Sequence, residues 1–135
     1  HVIKKALPLL KNAGANDRCQ LIEGDFFTTI PTGGDVYLLK NVIHNWNDEK
    51  AIAILRNCRR AMGQKGKLLV IERIILPGNE PAFGKLLDLE MLVMTSGGRE
   101  RTEAEFRELL KTAGFQLTKI IPTPEDVGIL ESVIL

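Results

Sequence analysis

The pattern of a strand that runs through a short loop into a helix is clearest in Leu38-Leu39-Lys40-Asn41-Val42-Ile43-His44-Asn45-Trp46-Asn47-Asp48-Glu49. An apolar run ends at Leu39, and the side chains of Asn47 and Asp48 can cap a following helix. In an open parallel sheet, ligands bind beyond the carboxyl ends of the strands. We therefore expect His44 and Trp46 to face a crevice. A single histidine at a strand end is also often a hydrogen-bonded structural residue, so the spacing alone does not establish catalysis.

The composition is that of a globular domain. The chain has 135 residues, of which 44% are hydrophobic and 26% charged, and its formal net charge is +1. This balance favours a packed core and gives no overall field that would attract nucleic acid or a membrane. No run of 18 apolar residues predicts a membrane span. Cys19 and Cys58 lack CxxC or Cys/His ligand spacing, so we expect a protein of the reducing cytoplasm.

The rest of the chain predicts alternating helices and strands. Predicted helices cover residues 2–13, 48–62, 85–94 and 102–113. Predicted strands cover residues 19–23, 36–40, 67–75, 115–121 and 129–135. The alternation favours a mainly parallel α/β sheet, and the short connection between the last two strands requires them to be antiparallel. We expect the helices to bury apolar rows, which in the third helix are Leu86, Leu89, Leu92 and Val93.

Five short blocks occur in one order along the chain. They are Gly24-Asp25-Phe26-Phe27, Leu39-Lys40 with His44, Trp46 and Asp48-Glu49, Glu72 with Leu76-Pro77, Asp88-Leu89 with Met91-Leu92, and Gly97-Gly98-Arg99-Glu100-Arg101-Thr102. In these blocks the chain resembles the C-terminal catalytic domain of the S-adenosylmethionine-dependent O-methyltransferases of the caffeate/hydroxyindole type, including their bacterial small-molecule relatives. The resemblance spans residues 24–114 and implies a Rossmann-like class I methyltransferase sheet, mainly parallel with an antiparallel C-terminal strand.

The resemblance also implies an enzyme. It would transfer a methyl group from S-adenosylmethionine to a hydroxyl of a small aromatic or polyketide-like acceptor, leaving S-adenosylhomocysteine and using no metal. His44 would be the general base, with Glu72 and Glu100 beside it to fix the tautomer and stabilise the imidazolium. The residues by themselves allow a simpler interpretation, in which Glu72 is a strand-end charge in solvent and Glu100 an acidic residue near a helix N-terminus.

The same resemblance assigns a cofactor pocket. Asp25 would approach the adenine amine and Phe26 would cover the adenine ring, while the backbone at Lys40 and the ring of Trp46 would complete the pocket. Core packing is the alternative role for Phe26 and its neighbour Phe27, and one of the two is expected to be core.

Acceptor contacts are expected near the same loop. Met91, Met94 and Thr95 would line the acceptor pocket by position, although methionines at helical spacing are also common in ordinary cores. The family usually has aspartate directly after the base, and here the residue is Asn45. We expect Asn45 to contact the acceptor as well. Asparagine keeps a hydrogen-bonding group but loses a charge, so acceptor orientation or the tuning of the base could differ.

Some parts implied by the resemblance are absent from the sequence. They are the Gly-rich loop that holds the methionine part of the donor, the acidic residue that binds the ribose, and the N-terminal helical domain that shapes the acceptor pocket and forms a homodimer. We therefore expect residues 1–135 to be a partial catalytic domain. The isolated chain should bind the donor weakly or not at all, and should repack or self-associate through bare sheet edges unless it is the ordered part of a longer protein.

Two other functions stay open at this stage. The first is a relative that keeps the cofactor pocket but performs other chemistry, such as decarboxylation or hydroxylation of a polyketide. The second is a non-catalytic fragment that only self-associates. Donor binding by a longer protein separates the second alternative from the enzymes, and methyl transfer to a panel of phenols separates the first.

Overall fold

Helices and strands alternate along the computed structural model, which describes residues 2–124 and 127–135. The helices are α1 Val2–Asn12, α2 Asp48–Ala61, α3 Phe83–Met94 and α4 Glu103–Thr112. The strands are β1 Val36–Lys40, β2 Lys67–Glu72, β3 Ile74–Ile75, β4 Arg101–Thr102, β5 Phe115–Pro122 and β6 Gly128–Ile134. Within the described residues, no helix is both long and apolar enough to cross a bilayer.

The main sheet has four strands in the order β1-β2-β6-β5. β1 is parallel to β2, and β6 lies antiparallel to both β2 and β5. Three strands therefore run in one direction and only the last runs in the other, which confirms the predicted direction of the C-terminal strand. The single strand predicted over residues 67–75 is divided at Arg73, and its second part, β3, pairs with β4 in a separate parallel ladder. This small ladder was not predicted.

The hydrophobic core lies between the main sheet and helices α2 and α4. The apolar rows predicted for these two helices are confirmed, because each member is at most 8% exposed: Ala51, Leu55, Cys58, Met62, Phe106, Leu109, Leu110 and Ala113. Removing such apolar surface from water is the main favourable term in folding. The N-terminus of α4 is fixed by a capping box, in which Thr102 accepts from the amide of Glu105 and the Glu105 carboxylate accepts from the amide of Thr102.

The prediction that α3 buries its apolar row is wrong. Its apolar residues Leu86, Leu89, Leu92 and Val93 are 63–82% exposed. Helical spacing identifies an apolar face but cannot say whether another element covers it, and in the part of the chain that the structure describes no element covers this face of α3.

The strand predicted over residues 19–23 is also wrong. Residues 19–25 adopt no regular secondary structure, and within residues 2–124 and 127–135 no strand pairs with them. A strand forms only when a neighbour satisfies its backbone N–H and C=O groups. The nearest edge, β1, pairs only with β2, and between β1 and residues 22–24 lies an open cavity of about 530 Å³.

Candidate active site

The loop after β1 begins with an unusual backbone conformation. Asn41 has a φ of 53°, in the left-handed region that few side chains adopt, and a 3-10 turn over Ile43–Asn45 follows. The side-chain amide of Asn45 donates to the carbonyl of Asn41 at 3.1 Å and to that of Val42 at 3.5 Å. Asn45, predicted to contact the acceptor, thus closes the turn with its own amide group.

Glu72 anchors this loop from the end of β2. One of its carboxylate oxygens, Oε1, accepts from the backbone amides of Val42 at 3.0 Å, Ile43 at 2.8 Å and His44 at 3.4 Å. The glutamate is fully buried, so the simpler interpretation of a strand-end charge in solvent is wrong. Because β1 and β2 are adjacent and parallel, their carboxyl ends meet at one sheet edge, and the end of one strand can hold the loop that follows the other.

The three residues predicted to be catalytic lie together. His44 Nδ1 is 2.9 Å from Glu100 Oε1 and 3.6 Å from Glu72 Oε2. An ionised carboxylate can only accept, so Nδ1 donates to Glu100 and the neutral imidazole carries its lone pair on Nε2. Among the described residues none hydrogen-bonds Nε2. Glu100 is itself held by α3, because its amide donates to Asp88 Oδ1 at 2.8 Å.

Burial and charge favour a bound proton in the cluster formed by His44, Glu72 and Glu100. The hydrogen bond to Glu100 raises the pKa of His44 above its usual 6.5, against the opposing effect of burial, and the charge of Glu72 raises it further. Burial raises the pKa of Glu72. The remaining oxygen, Oε2, of each glutamate has no hydrogen-bond partner among the described residues. A proton is therefore favoured on the imidazole and on the Glu72 carboxyl relative to the same groups in water.

The Glu100→Gln variant should lower the pKa of the His44 imidazole. A neutral amide oxygen still accepts from Nδ1 but stabilises imidazolium less than a carboxylate does. In the unchanged protein the folded-state pKa lies above 6.5, so the stability that the imidazolium contributes is complete below pH 6.5 and is lost as pH rises through the folded-state pKa. An NMR titration of the ring measures both proteins, and Glu103→Gln, an exposed residue of α4, is the matched control. An unchanged pKa in Glu100→Gln contradicts the assignment.

The same three side chains could also ligate a metal ion. One ligand atom from each of His44, Glu72 and Glu100 lies within 4.8 Å of the others. One imidazole and two carboxylates suit a divalent cation. Here, however, Nδ1 lies at hydrogen-bonding distance from Glu100, an arrangement that holds a proton between the two groups.

Two of the residues predicted to bind the cofactor form part of an aromatic cluster. The ring of Trp46 lies edge-on to Phe27, with centroids 4.8 Å apart, and 6.2 Å from Phe26. Phe27 packs against the core, whereas Phe26 is 37% exposed. Asp25 accepts from the amide of Phe27 and so closes its own turn, and Lys40 is exposed at the end of β1. The structure thus brings Phe26 and Trp46 together and places Asp25 in the turn beside them.

The residues predicted to contact the acceptor lie at the end of α3. The Thr95 hydroxyl donates to the carbonyl of Met91 and accepts from the amide of Gly98, while Met94 is 72% exposed. The segment of residues 41–47, which we call the His44 loop, packs against Gly98. An added Cβ at Gly98 would come within 2.5 Å of the His44 carbonyl oxygen. A glycine is therefore required where the chain after α3 crosses the His44 loop.

Sequence reasoning missed Arg101 and its partner Asp48. Arg101 is fully buried and donates to the Asp48 carboxylate beneath the His44 loop. Both residues belong to the sequence blocks quoted above, but block membership does not reveal burial. The sequence carries no local signal for this pair, because the burial of an arginine against a partner is decided only by the fold.

Comparisons with known proteins support the same fold. The profile of a family described as "O-methyltransferase domain" matches residues 1–116. The chain is 48% identical over 132 residues to phenazine O-methyltransferase PhzM of Lysobacter antibioticus, covering 98% of this chain and 38% of that protein.

Two solved structures align closely. The crystal structure of LaPhzM has a TM-score of 0.95 at 47% identity, covering 100% of this chain and 40% of its own. The O-methyltransferase NcsB1 from neocarzinostatin biosynthesis, solved with S-adenosylmethionine and 2-hydroxy-5-methyl naphthoic acid, has a TM-score of 0.87 at 36% identity, covering 98% and 38%. The chain thus spans about two fifths of each relative's length. These alignments confirm the fold class predicted from the sequence.

Proposed function

This chain belongs to the O-methyltransferase domain family, and from that premise we propose that the protein carrying it moves a methyl group from S-adenosylmethionine to a hydroxyl of a small aromatic or polyketide-like acceptor. The observation that carries the proposal is the 2.9 Å contact between His44 Nδ1 and Glu100 Oε1. It gives a histidine at the end of a parallel strand the tautomer and the partner that a general base needs.

The residues present suit the donor. When bound, S-adenosylmethionine supplies an activated methyl group on a positively charged sulfur. The carboxyl groups of Glu72 and Glu100 beside His44 each keep one buried oxygen that has no hydrogen-bond partner among the described residues, so acceptor capacity is left unused at this site. Phe26 and Trp46 offer partly exposed rings against which a purine can stack. Asp25 and the backbone of Lys40 complete the set that would hold the adenosine part.

His44 would take the proton from the acceptor hydroxyl. Nε2 of the neutral ring would receive the proton as the hydroxyl oxygen takes the methyl group that the donor supplies, and the imidazolium would then carry the positive charge that the donor loses. Glu100 accepts from Nδ1 throughout and stabilises that imidazolium. Glu72 keeps the loop in place through the amides that its other oxygen accepts. Most of the remaining rate enhancement comes from alignment, since the methyl group is already activated.

The acceptor would bind beside His44 and the end of α3. Met91, Met94 and Thr95 would provide an apolar wall, and Asn45 would act on the acceptor by holding the turn that carries His44. NcsB1 was solved with a naphthoic acid, which is a fused aromatic hydroxy acid, and the other relative is named for phenazines. These names support a fused aromatic acceptor for this chain.

The proposal treats residues 1–135 as part of a catalytic domain. The chain covers about two fifths of each relative, which is compatible with a longer protein that adds the donor's methionine-binding loop. A homodimer and a cytoplasmic location remain predictions from the sequence and the resemblance.

A transfer assay tests this function. The protein that carries this chain is incubated with methyl-labelled S-adenosylmethionine and a panel of hydroxyphenazines, hydroxynaphthoic acids and simple phenols. We expect label in a methyl ether of a fused aromatic acceptor and none in acceptors whose hydroxyl is blocked. Acceptors that gain oxygen or lose carbon dioxide without gaining label would replace the proposal with the hydroxylase or decarboxylase alternative. If calorimetry shows no binding of S-adenosylmethionine, the non-catalytic alternative is supported.

A further inference from the structure

The guanidinium group of Arg101 forms five hydrogen bonds beneath the His44 loop. Nε and Nη2 donate to Asp48 Oδ1 at 3.0 and 2.7 Å. Nη1 donates to the carbonyls of Ile43 and Arg99, both at 3.3 Å, and Nη2 also donates to the carbonyl of Trp46 at 2.8 Å. Arg101 is 0% exposed, so the paired carboxylate and the carbonyls are what make a buried cation tolerable here.

These contacts link the loop that carries His44 to the segment that carries Glu100, which are the two sides of the His44–Glu100 hydrogen bond. Ile43 precedes His44 and Trp46 follows it by two positions, so Arg101 holds the main chain on both sides of the imidazole. Arg101 directly follows Glu100, and its backbone is fixed by pairing with Ile74 across the β3–β4 ladder. The side chain of Arg101 therefore joins the loop that carries the base to the segment that carries its carboxylate, in addition to the 2.8 Å backbone hydrogen bond from the Arg99 amide to the His44 carbonyl.

We propose that Arg101, with Asp48 as its anchor, is a positioning residue that holds His44 at hydrogen-bonding distance from Glu100 and fixes Trp46 in the same frame. This inference rests on the proposed methyl transfer. Lysine cannot replace the arginine, because a planar guanidinium reaches acceptors in several directions at once whereas an ammonium carries three donors on one atom.

The pKa of His44 gives a second readout. The hydrogen bond to Glu100 raises that pKa, and the positive charge of Arg101 lowers it. Arg101→Lys keeps the charge, so a lower imidazole pKa in this variant would report a weakened His44–Glu100 hydrogen bond. A residue that only supported folding would leave the imidazole pKa unchanged.

The kinetic test uses Arg101→Lys and Asp48→Asn in the protein that carries this chain. We expect kcat for methyl transfer to fall about 10- to 100-fold in Arg101→Lys, since misplacement by about 1 Å costs up to that much, with the acceptor KM changed less than about threefold. Asp48→Asn keeps an acceptor oxygen, so its kcat should fall less than that of Arg101→Lys, by about tenfold. Arg107→Lys is the matched control, because Arg107 forms an exposed ion pair with Glu103 on α4 and should keep its full rate.

The titration test uses Arg101→Lys, which keeps the charge. An imidazole pKa below that of the unchanged protein supports the inference, and an unchanged or higher pKa overturns it. Normal kcat in Arg101→Lys, or a loss confined to KM, also overturns it. If Arg101→Lys does not fold, Asp48→Asn decides the question, and full activity of that variant overturns the inference. Absence of methyl transfer in the unchanged protein would defeat the proposed function, while the titration would still test the positioning role.

Discussion

Replacing His44 with alanine should lower kcat for methyl transfer by about 10²- to 10⁴-fold, which is the usual contribution of a positioned general base. The imidazole is held by Glu100 at 2.9 Å and has Nε2 available, and among the described residues no other histidine lies in the site. The measurement is steady-state transfer of labelled methyl at the pH optimum of the unchanged protein. Binding of S-adenosylhomocysteine, measured by calorimetry, should stay within about threefold, because the imidazole makes no ground-state contact that the proposal requires.

The acceptor itself provides the control for this variant. A phenol acidic enough to bind as phenolate needs no base, so the deficit of His44→Ala should shrink as the acceptor becomes more acidic. It should also shrink at high pH for the same reason. A deficit equal for all acceptors would indicate that His44 only shapes the pocket. A variant with nearly full activity would show that alignment alone drives the reaction.

Replacing Glu72 with alanine should destabilise the His44 loop by about 3 kcal/mol, because buried amide donors would lose their acceptor. The amides of Val42 and Ile43 donate to Glu72 Oε1 at 3.0 and 2.8 Å, and Ile43 is fully buried. Hydrogen exchange over residues 41–47 is the direct measurement, since these amides should lose protection before the core does. Methyl transfer should fall as well, because the imidazole is carried by this loop.

Glu72→Gln is the matched variant that separates anchoring from charge. Its amide oxygen can still accept from the loop amides, so exchange protection should stay close to that of the unchanged protein, within about 1 kcal/mol. Its NH₂ group would face His44 Nδ1 where Oε2 now lies at 3.6 Å, which weakens the support for imidazolium and lowers kcat. Equal loss of protection in both variants would mean that the charge, and not the acceptor, holds the loop.

Local signals predicted much of the fold. The rows on α2 and α4 repeat at helical spacing, and the Thr102–Glu105 capping box lies within four residues, so both features can be inferred from neighbours in the chain. The near-continuous apolar run of β2 predicts a buried strand for the same reason. The prediction was wrong where formation depends on a distant partner, as for residues 19–23, which have no strand beside them, and for α3, whose apolar face no described element covers.

The candidate site likewise combines features that the sequence predicts with contacts that only the fold creates. The sequence supplied the residue types of the site and their order in the chain, including the histidine after β1 and the two later glutamates. The family resemblance supplied the roles expected of these residues. Tertiary structure decided which atoms meet: Nδ1 with Glu100 across 56 positions, loop amides with Glu72 across 28–30, and Arg101 with Trp46 across 55. Periodicity and capping act over a few residues, whereas these contacts depend on strand order and burial, which only the folded chain fixes.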